Sequence, residues 1–166
     1  MSPLAAPMGT VLVVDDEPAI VRLCRLILEG EGGTVLSASG SSDALKICKH
    51  HPDPIDVLVT DLVLPAPEFS FASGDNEFPH VHGHELAVRA LRMRDTLRVV
   101  LMSGNIEKDL SGYGIRLGNV PVLSKPFVNQ ALIDRVRHAL QSPPVTYEEL
   151  MKPPPPRAGA LDEWAD

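Results

Sequence analysis

Val11-Leu12-Val13-Val14-Asp15-Asp16-Glu17-Pro18 decides how this chain is read. Four consecutive apolar residues suit a strand covered on both faces, as in a parallel sheet, better than the alternation of a half-exposed strand. The run stops at two adjacent carboxylates. Pro18 then stands where the first turn of a helix tolerates a missing amide hydrogen. Ile20, Leu23, Cys24, Ile27 and Leu28 follow at helical spacing until Gly30 ends the pattern. The unit is a strand, an acidic loop and a helix.

The same alternation recurs outward from this unit. Thr34 to Ala38 reads as a strand, Ser42 as the cap of a helix to about Lys49, and Val57 to Thr60 as a second buried strand with Asp61 at its end. Gly83 to about Arg92 reads as a helix, Val99 to Met102 as a strand ending at Ser103, and Val120 to Leu123 as a strand ending near Lys125. Val128 to Leu140 reads as a helix with Leu132, Val136 and Leu140 on one face. Between Asn105 and Gly118, glycines 112, 114 and 118 interrupt any helix. Five strands separated by helices predict an α/β fold, a doubly wound open parallel sheet with helices on both faces. Ligands of such sheets bind at the carboxyl ends of strands. Asp15, Asp16, Asp61, Ser103 and Lys125 all fall there.

Composition narrows the function classes. With 15 Lys and Arg against 22 Asp and Glu, net charge −7, and no cationic run, the chain lacks the field to hold a nucleic-acid backbone. No apolar stretch reaches the roughly 18 residues of a membrane span and no signal-like segment opens the chain, so a soluble cytoplasmic protein is expected. Cys24 and Cys48 lie on apolar helix stripes, as buried free thiols do. Residues 1–9 read as an extension, 10–141 as the domain, about 65–82 as a Pro/Gly/aromatic insertion, and 142–166 as a flexible tail. Within the tail, Pro153 to Pro156 favours polyproline II, and Tyr147 to Met151 could form a short helical contact.

Three carboxylates gathered at one sheet edge repel one another, a cost usually offset by a cation or a raised pKa. An all-oxygen set suits Mg²⁺, which is bound through one or two carboxylates together with phosphoryl oxygens. Asp61 can then serve as a nucleophile that takes a phosphoryl group. Lys125 supplies positive charge and Ser103 a hydroxyl donor for the transferring group, with Pro126 a place where a cis bond would aim the lysine inward. His80, His82 and His84 alternate like potential ligands but are expected to be solvated loop residues. Phe69, Phe71 and Phe78 are expected to pin the insertion to the domain.

Four motifs, Val14-Asp15-Asp16-Glu17-Pro18, Asp61-Leu62-Val63-Leu64-Pro65, Met102-Ser103-Gly104 and Lys125-Pro126-Phe127, resemble the receiver domains of bacterial two-component response regulators (CheY-like) over about Thr10 to Leu140. The resemblance implies a flavodoxin-like strand order 2-1-3-4-5. It implies Mg²⁺ held by Asp15, Asp16, Asp61 and the backbone carbonyl of Val63, with phosphorylation of Asp61 by a histidine kinase or histidine phosphotransfer protein. Ser103 and Lys125 would contact the phosphoryl group, Ser103 moving inward as the switch. Three features depart from the family. Val122 stands where an aromatic switch residue is common, and glycines break the helix after Ser103. Gly83 lies 22 residues beyond Asp61 where about eight is usual, which leaves about 14 extra residues beside the pocket.

The reading is a stand-alone receiver, a phosphorylation-controlled binding module and not an enzyme acting on a separate metabolite, with an unidentified downstream protein partner. Two alternatives come from other classes. One is an adaptor that binds through the insertion or tail without phosphorylation. The other is an aspartyl-phosphate hydrolase, which usually needs a second carboxylate close after the nucleophile, where this chain has Leu62, Val63 and Leu64. A flavin protein is disfavoured because no phosphate-binding loop surrounds Thr10 to Pro18.

Overall fold

The computed structural model describes residues 8–66, 78–113 and 120–146. In chain order the elements are β1 (Thr10–Val14), α1 (Pro18–Gly30), β2 (Thr34–Ala38), α2 (Ser41–His50), β3 (Val57–Asp61), α3 (Gly83–Met93), β4 (Arg98–Ser103), α4 (Ile106–Tyr113), β5 (Val122–Ser124) and α5 (Asn129–Gln141). The five strands form one parallel sheet in the order β2-β1-β3-β4-β5. This is the doubly wound, flavodoxin-like arrangement that the resemblance implies.

Both faces of the sheet are covered, which is why β1 reads as an unbroken apolar run. Leu12 and Val14 pack with Leu45 of α2 and Leu86 of α3, while Val11 and Val13 pack with Cys24 and Leu28 of α1 and Leu132 and Val136 of α5. Each fully buried side chain of this size contributes about 1.5–3 kcal/mol relative to exposure. Packing also reaches past residues 10–141, since Met8 and Val145 are both buried in these clusters.

Register brings the polar strand ends level. Val14 pairs with Ala38 and Thr60, Asp61 with Met102, and Ser103 with Ser124. Asp15, Asp61, Ser103 and Lys125 therefore emerge at one edge.

Three local expectations need correction. The residue before α2 is Gly40, and Ser42 is no cap: its hydroxyl donates to the Phe78 carbonyl, while the Ser41 hydroxyl accepts the Val81 amide. Tertiary partners have taken the hydroxyls that a local cap would use. β5 begins at Val122 and not at Val120, because Pro121 has no amide hydrogen to give a ladder. It contributes its carbonyl instead, accepting from Leu101. A helix does follow Ser103, eight residues long and running through Gly112. Asn105 starts it, its side-chain oxygen accepting the Lys108 amide as an N-cap does.

Arg94, at the end of α3, donates to the carbonyls of Cys48, His51 and Asp53. The end of a helix leaves carbonyls without partners, and this guanidinium fills that need at the end of α2.

Candidate functional site

Asp15 is the first residue after β1 and only 1% exposed. Its Oδ1 accepts the Glu17 amide at 2.9 Å and its Oδ2 accepts from Lys125 Nζ at 2.6 Å. The Asp61 carboxylate is held the same way, by the Val63 amide at 3.2 Å and by Lys125 Nζ at 3.0 Å. Lys125 reaches the pair from the end of β5, where its own amide donates to the Ser103 carbonyl and its bond to Pro126 is cis. Asp16, at the solvent side, completes the group. One carboxylate oxygen from each of Asp15, Asp16 and Asp61 lies within 4.8 Å of the others.

The charges of these four side chains do not cancel: three carboxylates face one ammonium, leaving two negative charges in a half-dry recess. Burial pushes the Asp61 carboxyl above its ordinary range and the Asp15 charge adds to the rise, while Lys125 and the Val63 amide pull against it. For Lys125, burial works against the charge, but the hydrogen bonds and charges of Asp15 and Asp61 outweigh it and hold the ammonium above its usual value. A hard divalent cation fits both the charge left over and the all-oxygen donor set.

The described ends of the insertion, up to Ala66 and from Phe78, lie beside this site. Its two ends are stitched by the Leu64 amide donating to His82 Nδ1 at 3.1 Å and by the Gly83 amide donating to the Leu62 carbonyl at 3.0 Å. A side chain at Gly83 would place its Cβ 2.0 Å from the Asp61 carbonyl oxygen, so only glycine lets α3 start there. Phe78 is buried in the core beneath the Lys49 ammonium, as expected of a pinning residue. Phe69 and Phe71 lie outside the described residues, as do Tyr147 to Met151 and Pro153 to Pro156.

Ser103 is at the expected strand end and fully buried, but its hydroxyl is engaged elsewhere. It donates to Asp109 Oδ2 of α4 and accepts the Asn105 amide. Val122 is half-buried, and its carbonyl accepts from Arg135 of α5. Among the described residues, the Asp15, Asp16 and Asp61 group alone could gather a metal with three or more ligands; His80, His82 and His84 do not converge. The rings of His80 and His82 meet edge to face instead. Both cysteines are buried and free, with burial pushing Cys24 up to about 12 and Cys48 to about 11. Sequence reading missed two residues that touch this region, His82 as a strap and Asp109 as the partner of Ser103. Asp109 had one legible signal, its place within the first turn of a helix begun by Asn105.

Residues 11–68 match the family model of the response regulator receiver domain. Response regulator GtcR of Aneurinibacillus migulanus is 26% identical over 132 residues, covering 80% of this chain and 48% of that protein. The receiver domain of the hybrid histidine kinase CckA is 27% identical, with a TM-score of 0.60 over 80% of this chain and 100% of that one. A response regulator receiver protein from Sinorhizobium medicae WSM419 superposes with a TM-score of 0.64 at 24% identity, over 81% and 95% of the two chains. The matching family model and the structural neighbours are CheY-like receiver domains and the curated relatives are response regulators, in agreement with the recognition drawn from the four motifs. The chain spans about half the length of the curated relatives it matches, so the expectation of a receiver acting alone gains no support from them. Among the described residues no helix is long and apolar enough to cross a membrane.

Proposed function

We propose that this chain is a cytoplasmic phosphoryl-accepting switch whose receiver occupies about residues 10–141 and in which Asp61 takes the phosphoryl group from a histidine kinase or histidine phosphotransfer protein. The observation that carries the reading is the placement of Asp61 between a half-buried lysine and two further carboxylates at the end of β3. Mg²⁺, held by Asp15, Asp16, Asp61 and the Val63 carbonyl, would supply charge neutralisation at the transferring phosphoryl oxygens.

The chain's own residues do the rest. The Val63 amide orients the Asp61 carboxylate, leaving the group aimed along one direction. Lys125 already lies against Asp61 Oδ2 and would pass from that oxygen to the incoming phosphoryl group, which draws a preset cation to the developing charge. Asp15 anchors the lysine from the buried side. Ser103 would donate its hydroxyl to the acquired group and carry the change into α4, a population shift driven by new contacts. The output is a phosphorylation-dependent protein contact.

The test is the intact mass of wild type and Asp61→Asn after incubation with acetyl phosphate, with and without Mg²⁺. A single phosphoryl gain in wild type, dependent on Mg²⁺ and absent in the variant, is expected. An equal gain in the variant, or none in wild type, would overturn the reading.

A further inference from the structure

We infer that Asp109 is a positioning residue for the switch: it holds the hydroxyl hydrogen of Ser103 until a phosphoryl group on Asp61 competes for it. The inference rests on the receiver reading above and deepens it, by naming what Ser103 must give up.

A serine hydroxyl has one hydrogen to donate. Here that hydrogen goes to Asp109 Oδ2 at 2.5 Å, and Oγ accepts the Asn105 amide at 3.1 Å. The two bonds belong to a closed ring at the start of α4. Asn105 Oδ1 accepts the Lys108 amide at 3.1 Å, and the Asn105 carbonyl accepts the Asp109 amide at 2.9 Å. Ser103, Asn105 and Asp109 thus seat the first turn of the helix together. If Ser103 turns toward Asp61, Asp109 loses its donor and the Asn105 amide loses its acceptor at once.

The competition is between two anions. A hydroxyl donating to a carboxylate makes a charge-assisted bond, stronger than a neutral one. A phosphoryl group offers several strong acceptor oxygens and more negative charge. The phosphoryl group therefore outcompetes the carboxylate while it is present, the hydroxyl returns to Asp109 when it is lost, and α4 is the element that feels the exchange. Asp109 sets the resting end of that balance. This also assigns a role to α4 that does not need an aromatic residue at Val122.

The experiment compares wild type, Asp109→Ala, Asp109→Asn, Ser103→Ala and the Ser103→Ala/Asp109→Ala double variant. Initial rates of phosphoryl gain from acetyl phosphate with Mg²⁺ are read by intact mass. Amide hydrogen exchange across α4 is read without any donor. Freed of its charged acceptor, Ser103 in Asp109→Ala should raise the rate about 3–30-fold, a fraction of what a full charged hydrogen bond is worth because Asp109 is partly solvated. The effect should vanish in the Ser103→Ala background, which a merely structural role for Asp109 would not produce. Without donor, the amides of positions 108 and 109 should exchange faster in both Asp109→Ala and Ser103→Ala. If the alanine variant does not fold, Asp109→Asn, which keeps the shape, carries the same comparison with a smaller rise. An unchanged or lowered rate, or the same rise without Ser103, would overturn the inference while leaving the receiver reading intact. No phosphoryl gain in wild type would instead overturn that reading and this inference with it.

Discussion

Replacing Gly83 by alanine should damage both stability and phosphoryl acceptance, although the change adds one methyl group and alters no charge. The added Cβ would stand 2.0 Å from the Asp61 carbonyl oxygen, 2.9 Å from its carbon and 3.0 Å from Leu62 Cα. All three atoms are backbone, so no side chain can swing aside. An ordinary carbon-to-oxygen contact lies at roughly 3.3 Å or more, so the start of α3 must retreat from the end of β3 by about 1.3 Å. That retreat lengthens the Gly83 amide bond to the Leu62 carbonyl, now 3.0 Å. Overpacking of this kind costs about 1–3 kcal/mol and a weakened hydrogen bond about 1 more, giving about 2–4 kcal/mol. For a chain of this size the loss corresponds to a Tm lower by about 5–15 °C. Because the pressure falls on the backbone of Asp61 itself, the rate of phosphoryl gain should drop on the order of 10–100-fold. Urea unfolding and intact-mass kinetics measure the two effects. Gly104→Ala is the control: nothing lies within 4 Å of a Cβ there, so stability should change by less than about 0.5 kcal/mol. A Gly83→Ala protein as stable and as reactive as this control would refute the claim that only glycine lets α3 start against the Asp61 carbonyl.

Two further outcomes follow from the same geometry. Lys125→Met leaves Asp15, whose side chain is fully buried, without its cation, and should cost about 3–5 kcal/mol in Mg²⁺-free urea unfolding, with Mg²⁺ restoring more in the variant than in wild type. The raised Lys125 pKa means that, with the carboxylates ionised, the stability from this pair is fully present from neutral pH up to 10.5 and is lost as pH rises through the folded value, so the difference between wild type and Lys125→Met should shrink in that alkaline range. Cys24 and Cys48, pushed to about 12 and about 11, should resist thiol reagents near neutral pH in the folded protein and react on unfolding; rapid labelling of the native protein would contradict their burial.

What could be read from the sequence follows from what was local. Val11 to Val14 is legible because burial on both faces leaves no polar residue in the run, and the carboxylates are legible because each directly follows such a run. Asp15, Asp16, Asp61 and Lys125 needed only the rule that parallel strands share their functional edge, and the structure brings them together. The errors arise where the partner is distant in sequence. Ser42 resembles a cap, but its acceptor is the Phe78 carbonyl, 36 residues away. His82 resembles a solvated loop residue, but it receives the Leu64 amide 18 residues back across the insertion. The start of β5 could have been placed better, since Pro121 announces the missing donor. The helix after Ser103 is different again: its glycines argue against it, and the Asn105 cap with the Ser103–Asp109 bond supports its first turn.

The central claim is that Asp61 itself receives the phosphoryl group. The most direct measurement treats the protein with acetyl phosphate and Mg²⁺, reduces it with borohydride, which converts an aspartyl phosphate to the alcohol, and maps the altered residue by peptide mass spectrometry. The account predicts reduction at position 61 alone, and none when Mg²⁺ is withheld. Reduction at another carboxylate, or a peptide containing Asp61 that stays unaltered while the protein gains the phosphoryl mass, would contradict it.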